Sequence, residues 1–376
     1  MKPLSLYLHV PFCASKCAYC DFASFPNREG DWRRYFEALW GEIEAWRPGL
    51  EGYQAATVFI GGGTPTLVEP GYIEETLVRC RDALPFAADA EITMEGNPGT
   101  LTPGKLEAYR RAGVNRLSLG AQSFDDALLR SLGRIHTARQ IGEAVAMARE
   151  AGFDDLNLDL MYALPGQDMA QWMNALDAAA ALGVEHLSAY SLIVEEGTPM
   201  ARRVAAGEAA LPDDDAVNAM QREAVSRLAG AGYRRYEISN YARPGFECRH
   251  NLVYWERGEY LGLGCAAHSL FGGCRFQNPE TLEGYLAGGR REDEQRLTRA
   301  DAMEETIMLS TRTVRGLDLR AWEDAFGAPF SRGREAALDR LAAGGLIEMT
   351  GGFLRLTLRG MELQNAVVLE LIGEVE

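Results

Sequence analysis

The sequence predicts an α/β fold built on a central parallel sheet, with a smaller and differently patterned region at the C-terminus. Apolar runs typical of buried strands alternate with amphipathic helical stretches from the start of the chain to about residue 195. Glycines and polar residues follow several of these runs, where the carboxyl ends of parallel strands are expected to meet. From about residue 300 the pattern changes to short helices and a hairpin with a glycine turn.

Six strand–helix units account for the alternating region. Strands are predicted at 5–9, 57–60, 91–94, 116–119, 156–159 and 187–191, and helices at 31–46, 72–83, 103–112, 138–151 and 169–182. Alternation of this kind indicates parallel strands that are joined by crossover helices.

Three cysteines close to the first strand form the strongest local pattern. Cys13, Cys17 and Cys20 lie in HVPFCASKCAYCDF with the spacing C-x3-C-x2-C. Three thiolates at this spacing can hold a [4Fe–4S] cluster and leave its fourth iron open, where S-adenosylmethionine can chelate. The alternatives are a zinc site or buried thiols, but zinc ligands usually come as two pairs, and no second pair follows. The spacing therefore predicts a cluster.

Polar residues at the ends of successive strands predict a ligand-binding rim. Gly62 belongs to a glycine turn after the second strand, Glu95 follows the third, Gln122 follows the fourth, and Asp159 closes the fifth. Each has an ordinary alternative as a turn or helix-capping residue. Several polar residues at the same end of one sheet instead indicate a site for a ligand with hydroxyls and an amine. Arg134, in LGRIHT, could bond a ligand carboxylate.

These stretches, taken in order, resemble one branch of the radical S-adenosylmethionine superfamily. HVPFC-x3-C-x2-C-DF, IGGGTPT, EGNPGTL, GAQSF, LGRIH and NLDLMYALPGQ are similar to motifs of oxygen-independent coproporphyrinogen III oxidases and of HemW-type haem chaperones. The resemblance implies an open, three-quarter barrel of six β/α units. It also implies that S-adenosylmethionine, at one or two sites, is bound by Tyr7, Tyr19, Gly62, Gly63, Thr64, Glu95, Gln122, Arg134 and Asp159.

Two departures favour the chaperone over the oxidase. In the oxidase pattern one residue and a fourth cysteine follow the triad, whereas here Cys20 is followed by Asp21, Phe22 and Ala23. The segment HNLVYW, residues 250–255, matches the HNxxYW motif that marks the HemW type and is implicated in holding haem. The resemblance thus implies a protein that binds haem and delivers it to acceptors such as membrane-bound respiratory enzymes. The alternative is an oxidase that abstracts hydrogen from the propionates of coproporphyrinogen III.

His250 is the candidate haem ligand. Histidine is a common axial ligand of haem iron, and neighbouring tyrosine and tryptophan rings suit a porphyrin face. The alternative is a histidine held by hydrogen bonds in a packed core. Cys248 and His268 are further candidates. A third reading of the protein, as a non-catalytic regulatory module with a structural cluster, does not account for the polar rim.

Composition limits the partners and the compartment. The 376 residues carry a formal net charge of −16, which disfavours nucleic acid. No apolar run approaches the roughly 18 residues of a membrane span, and no signal-peptide cleavage site is evident. Seven cysteines, of which three are clustered, favour a reducing compartment, so we expect a cytoplasmic protein. A homodimer is compatible with these features.

Three domains are expected: a barrel core at 1–195, an extension with the HNxxYW motif at 196–299, and a winged-helix-like domain at 300–376. In the last, helices are predicted at 303–314, 318–326 and 333–344, before a hairpin of 346–349 and 353–358. Residues 301–376 contain 13 acidic residues, 8 arginines and no lysine, which argues against binding to DNA phosphates. We expect a lid or a partner surface instead.

Overall fold

The computed structural model of the chain describes residues 1–289 and 291–373. The first part contains strands β1 Lys2–Val10, β2 Phe12–Cys13, β3 Phe25–Pro26, β4 Tyr53–Gly62, β5 Phe86–Gly96, β6 Arg116–Gln122, β7 Asp155–Tyr162 and β8 His186–Ser191. Its helices are α1 Trp32–Trp46, α2 Pro70–Ala83, α3 Pro103–Ala112, α4 Asp126–Ser131, α5 Ala138–Glu150 and α6 Met169–Ala181.

The middle of the chain is an extension of this unit. It contains α7 Pro199–Ala205, α8 Asp214–Gly230, β9 Arg234–Arg235, β10 Asn240–Ala242, α9 Arg249–Trp255, β11 Tyr260–Leu263, β12 His268–Phe271, β13 Cys274–Gln277, α10 Leu282–Leu286 and β14 Glu292–Arg296. The C-terminal part contains α11 Arg299–Ser310, β15 Leu317–Asp318, α12 Leu319–Phe326, α13 Glu335–Ala343, β16 Ile347–Thr350, β17 Phe353–Leu356, α14 Leu358–Glu362 and α15 Gln364–Ile372.

A twelve-stranded sheet organises the first two parts, in the order β14-β13-β12-β11-β1-β4-β5-β6-β7-β8-β10-β9. The run from β11 to β8 is parallel, and the strands outside it pair antiparallel. All six predicted strands lie within this parallel run, and through the described residues the sheet stays open. The predicted α/β partial barrel is confirmed. Strand β11 is not among the six predicted strand–helix units, because this short strand is not followed by a crossover helix.

Alternation along the parallel strands gives the sheet one apolar and one polar face, although both faces are buried. In β1, Leu6 and Leu8 belong to the apolar core, whereas Ser5 lies on the other face and accepts a 2.7 Å hydrogen bond from Thr57 of β4. Asn157 of β7 likewise donates to Ser118 of β6 at 2.8 Å. Side chains in a strand alternate in direction, so one residue in two contributes to this polar inner face.

The C-terminal part has its own hydrophobic core, which includes Trp322, Phe330 and Leu354. A three-stranded sheet in the order β15-β17-β16 packs with its helices, so the helices and the hairpin predicted for a winged-helix-like domain are present. The boundaries predicted at residues 195 and 300 stay a prediction.

Two details of this C-terminal part differ from the sequence interpretation. Helix α11 begins at Arg299 instead of residue 303, because Thr298 and Asp301 form a capping box at its N-terminus. It ends at Ser310 instead of residue 314. The short helices α14 and α15 after the hairpin were not predicted.

Helix α9, which carries the HNxxYW residues, is anchored to the sheet by Glu91 of β5. The Glu91 carboxylate accepts hydrogen bonds from the backbone N–H groups of Arg249 at 2.8 Å and His250 at 3.0 Å. These N–H groups have no partner within the helix, and a carboxylate there also interacts favourably with the helix dipole. Glu91 thus fixes the start of α9 against the sheet.

We therefore expect Glu91→Ala to destabilise the protein by about 1–3 kcal/mol, because two backbone donors lose their acceptor in a buried site. The free energy of unfolding from urea titration measures this loss. Asp89→Ala is the control: Asp89 forms an exposed ion pair with Arg249, so its removal should cost under about 1 kcal/mol. Equal losses for the two variants would contradict the anchoring role of Glu91.

Candidate functional site

A pocket at the carboxyl ends of the parallel strands gathers eleven of the residues that the sequence singled out. They are Cys13, Cys17, Tyr19, Cys20, Gly62, Gly63, Thr64, Glu95, Gln122, Arg134 and Asp159. The segments that supply them are far apart in the chain and meet because successive parallel strands end at the same edge of the sheet. Tyr7 and His250 lie outside this pocket.

Cys13 ends strand β2, and Cys17 and Cys20 lie on the loop that follows it, whose middle is fixed by main-chain bonds. The N–H of Ala18 donates to Leu132 at 3.0 Å, and its carbonyl accepts from Met200 at 2.8 Å. The thiols of this loop are half-buried and face the pocket, and burial raises the pKa of the Cys13 and Cys20 thiols. No three Cys, His, Asp or Glu side chains converge on a single metal ion anywhere in residues 1–289 and 291–373.

Side chains from two other motifs contact these sulfurs. Thr64 Oγ1 lies 3.6 Å from Cys13 Sγ, and Arg134 Nη1 lies 3.5 Å from Cys17 Sγ. Arg134 is held in place by a second bond, from Nη2 to the carbonyl of Gly120 at 2.7 Å. Three free thiols with a hydroxyl and a guanidinium beside them form a donor set suited to a thiolate-bound cluster, since hydrogen bonds to the sulfurs stabilise its negative charge.

The glycine turn after β4 packs directly against the cysteine loop. Gly63 N–H donates to Val10 at 2.9 Å, and Thr64 N–H donates to Phe12 at 2.7 Å. A Cβ atom on Gly63 would stand 2.6 Å from the Phe12 carbonyl oxygen, and Gly62 has φ = 110°, which favours glycine. Only glycine at both positions lets the turn approach the loop this closely.

Glu95 is the buried carboxyl group of the pocket. Its Oε2 accepts a 3.1 Å hydrogen bond from the N–H of Gly62. Burial, with the nearby charge of Asp159, raises the pKa of Glu95 to about 8, and the Gly62 bond opposes this shift only in part. A ligand ammonium group beside Glu95 would favour its charged form. The buried carboxyl group of Glu95 therefore suits the amino group of S-adenosylmethionine.

Gln122 and Asp159 also line the pocket. The backbone of Gln122 has φ = 64°, which is unusual for a residue other than glycine and is often found at binding sites. Asp159 accepts hydrogen bonds from Ser118 at 3.2 Å and Asn157 at 2.8 Å. These bonds aim its carboxylate along the inner face of the sheet, where ligand hydroxyls would find acceptors.

Several pocket residues were not identified from the sequence as site residues. They include Lys16, Phe22, Ser24, Thr100, Ser118 and Ile135. Ser118 carries a usable signal, since it is a polar residue between two buried leucines of strand β6. The others are loop residues whose position depends on the packing of distant segments.

Tyr7 and His250 lie together on the inner face of the sheet, joined by Phe59. Phe59 stacks on His250 at 5.1 Å and on Tyr7 at 6.3 Å between ring centroids. Both ring nitrogens of His250 are hydrogen-bonded, Nδ1 to Thr57 at 2.7 Å and Nε2 to Tyr254 at 2.9 Å. Burial lowers the pKa of His250 to about 3, so the imidazole is neutral. Its role as a haem ligand stays a prediction.

We expect that replacing Cys13, Cys17 or Cys20 with serine abolishes the iron–sulfur absorption after anaerobic reconstitution, because a hydroxyl is a poor ligand for this soft site. Cys274→Ser is the matched control, since Cys274 is also a half-buried free thiol but lies outside the pocket. Iron and sulfide content, with the visible spectrum, measures the result. Near-full iron content in any one of the three pocket variants would disprove the assignment.

The raised pKa of Glu95 predicts how its replacement changes stability with pH. In the unfolded chain Glu95 loses its proton above the ordinary pKa of 4.5, whereas in the folded state it keeps the proton up to about pH 8. Glu95 therefore lowers the free energy of unfolding as pH rises through this range. Glu95→Gln removes this decrease. Its free energy of unfolding should therefore increase relative to wild type between about pH 5 and pH 8. Exposed Glu69→Gln is the control, and a constant difference across this range would refute the prediction.

Comparison with known proteins places the chain in a family. Residues 7–179 match the Radical SAM superfamily, and residues 297–363 match the HemN C-terminal domain. The solved structure of coproporphyrinogen III oxidase (HemN) from Escherichia coli, a radical SAM enzyme, aligns with a TM-score of 0.87 and 26% identity. The alignment covers 100% of this chain and 91% of that one.

Curated relatives are similar over nearly the full length. Heme chaperone HemW of Mycobacterium tuberculosis H37Rv is 40% identical over 99% of this chain and 95% of its own. The protein of that name from Bacillus subtilis is 34% identical over 99% and 100%, and that from Escherichia coli K12 is 43% identical over 71% and 70%. The resemblance predicted from the motifs is confirmed: the chain belongs to the HemW family of the radical SAM superfamily.

Proposed function

We propose that this protein is a haem chaperone that binds haem and passes it to haem-requiring proteins, including membrane-bound respiratory enzymes. The observation that carries the proposal is the likeness, over 99% of the chain, to proteins named heme chaperone HemW. The HNxxYW helix and its anchor on Glu91 support it, because the family's marker segment is held in a defined place. No helix in the described part of the chain has the length and apolarity of a membrane span. We place the protein in the cytoplasm, where free thiols stay reduced.

We further propose that the pocket binds a [4Fe–4S] cluster and S-adenosylmethionine. Cys13, Cys17 and Cys20 would ligate three irons, and Glu95 with the Gly62–Thr64 turn would bind the amino group of the ligand. Arg134 would pair with its carboxylate, while Gln122 and Asp159 would bind its ribose hydroxyls. Tyr19 lines the same pocket, and Tyr7 supports it from the inner face of the sheet. Bound together, cluster and ligand would supply one-electron reducing chemistry.

His250 acts in this proposal as the axial ligand of haem. Burial holds the pKa of His250 at about 3, so its imidazole is neutral. One ring nitrogen therefore has a lone pair for iron, and the ring need not lose a proton first. Ligation requires one of its two hydrogen bonds, to Thr57 or to Tyr254, to be released first. The residue therefore becomes available only when α9 or its surroundings move.

The second candidate function is oxidation of coproporphyrinogen III. The TM-score of 0.87 to the Escherichia coli oxidase and the complete polar rim favour it. Phe22 argues against it. This residue stands where the oxidase pattern has its fourth cysteine, and its ring is 70% exposed at the pocket. The pocket of this chain thus presents an apolar ring where the oxidase pattern places a thiol.

The two functions are separated by His250→Ala. Loss of an axial ligand should shift the Soret band of bound haem and weaken binding by about tenfold or more, while the cluster reconstitutes normally. His268→Ala tests the other candidate histidine, an exposed imidazole on β12, and a Soret shift in that variant instead would move the axial ligand to His268. Thr57→Val, which removes the hydrogen bonds of Thr57 to Ser5 and His250 but keeps the imidazole, checks that the effect belongs to the ligand.

Wild-type protein with a reconstituted cluster should also fail to convert coproporphyrinogen III into protoporphyrinogen IX in the presence of S-adenosylmethionine. Product analysis by chromatography measures this. Conversion at an enzyme-like rate would establish the oxidase instead, and an unchanged Soret band in the His250 variant would remove this histidine from the haem site.

A further inference from the structure

Ser24 is a buried residue of the cysteine pocket whose hydroxyl group has no hydrogen-bond partner. The residue is 3% exposed, and its Oγ bonds no atom of residues 1–289 and 291–373, although it lines the same pocket as the three cysteines. A buried hydroxyl without a partner costs free energy, which a bound group with acceptor atoms would recover. We propose that Ser24 donates a hydrogen bond to a sulfur of the bound iron–sulfur cluster and raises its reduction potential, an inference that rests on the proposed binding of that cluster.

The backbone on both sides of Ser24 is held in place. The carbonyl of Ala23 accepts a 2.8 Å hydrogen bond from His9 Nε2, and the N–H of Phe25 donates to the carbonyl of Pro11 at 2.7 Å. Strand β3 begins directly after Ser24 and pairs with β2, the strand that ends in the first cysteine of the triad. The Ser24 hydroxyl therefore keeps its place at the pocket.

Two other side chains already supply donors to sulfurs of the pocket. Thr64 Oγ1 lies 3.6 Å from the sulfur of the first cysteine, and Arg134 Nη1 lies 3.5 Å from that of the second. Within the described residues no side-chain hydrogen bond reaches the third sulfur, that of Cys20. Burial raises the pKa of the Cys20 thiol, and the Phe22 backbone and the nearby Ser24 hydroxyl oppose this rise. Ser24 would therefore complete a set with one side-chain donor for each cysteine.

A hydrogen bond to a cluster sulfur favours the reduced state. Reduction adds one electron and makes the cluster more negative, so a donor stabilises the reduced form more than the oxidised form. The reduction potential of an iron–sulfur cluster accordingly depends on hydrogen bonds to its sulfurs. Removal of the Ser24 hydroxyl should make the potential more negative and leave every cysteine ligand in place.

The potential is measured on the full-length protein after anaerobic reconstitution, by a redox titration that is followed through the EPR signal of the reduced cluster. Ser24→Ala should shift the one-electron equilibrium toward the oxidised form by about tenfold, which is about 59 mV. Ser24→Thr keeps the hydroxyl and should stay close to the wild-type potential. Ser269→Ala is the matched control, since Ser269 is also a buried serine but lies on β12 outside the pocket.

The free energy of unfolding of the cluster-free protein separates a hydroxyl directed at a ligand from a structural one. Ser24→Ala removes a group that has no protein partner, so stability should stay the same or increase. Ser269→Ala removes the acceptor of the Gly262 N–H at 2.9 Å and should destabilise the protein. A loss in Ser24→Ala as large as that in Ser269→Ala would assign Ser24 to folding and contradict the proposal.

An unchanged potential in Ser24→Ala at full iron content would overturn the role of this hydroxyl and leave the cluster assignment standing. If Ser24→Ala loses the cluster, Ser24→Thr decides. A cluster at the wild-type potential in Ser24→Thr assigns the requirement to the hydroxyl, whereas loss from both variants assigns it to packing and overturns the proposal. Failure of the wild type to assemble a cluster would overturn the proposed pocket function as well.

Discussion

Polar side chains on a buried face of the parallel sheet are the constraint on which the rest of this structure depends. Polar groups out of contact with water cost free energy unless they find hydrogen-bond partners. Thr57 bonds Ser5 of β1, and Asn157 bonds Ser118 of β6 and Ser188 of β8, so these polar groups are satisfied across adjacent strands. Glu91 accepts hydrogen bonds from the first N–H groups of α9 and from the thiol of Cys248, which directly precedes that helix. The polar face therefore determines where the motif helix lies.

The same polar face ends in the pocket, and there its hydrogen bonding is incomplete. Glu95 has one backbone donor, and burial together with the charge of Asp159 raises its pKa to about 8. A buried carboxyl group with a raised pKa is stabilised in its charged form when a cation binds beside it, since the positive charge offsets the cost of burial. Glu95 forms no ion pair with a side chain of residues 1–289 or 291–373, so a cationic ligand can bind beside it.

Helix α9 connects two chemically different regions of the protein. Its His250 side packs on Phe59 and Thr57 at the inner face of the sheet, close to Tyr7 and the pocket, while Trp255 faces a cleft beside the C-terminal domain. Arg257, just after the helix, pairs with Glu305 of α11 at 2.7 Å, so the helix is also tied to that domain. A displacement of this one short helix would change the surroundings of both regions. The fold shared with an oxidase does not decide function, because function depends on which of these regions is used and on what binds there.

The sequence by itself determined six strands of the parallel run, the cysteine triad and most of the pocket. Alternation identifies buried strands, and parallel strands must end at one edge of the sheet, so Glu95, Gln122 and Asp159 had to come together once the strands were known. The spacing of Cys13, Cys17 and Cys20 is a local property of one loop, which is why the sequence shows it directly. The capping box that starts α11 is also local and was readable, although the helix was first placed four residues late.

Only the tertiary structure decided where His250 lies, how its nitrogens are bonded, and that a cleft opens beside Trp255. Thr57 and His250 are separated by 193 residues in the chain, and the local sequence around either residue does not indicate that the two are in contact. The cleft likewise has walls from α9 and α12, which no local periodicity relates. Periodicity reports which side chains are buried, whereas the identity of their neighbours, and hence their pKa values and accessibility, depends on packing between distant segments.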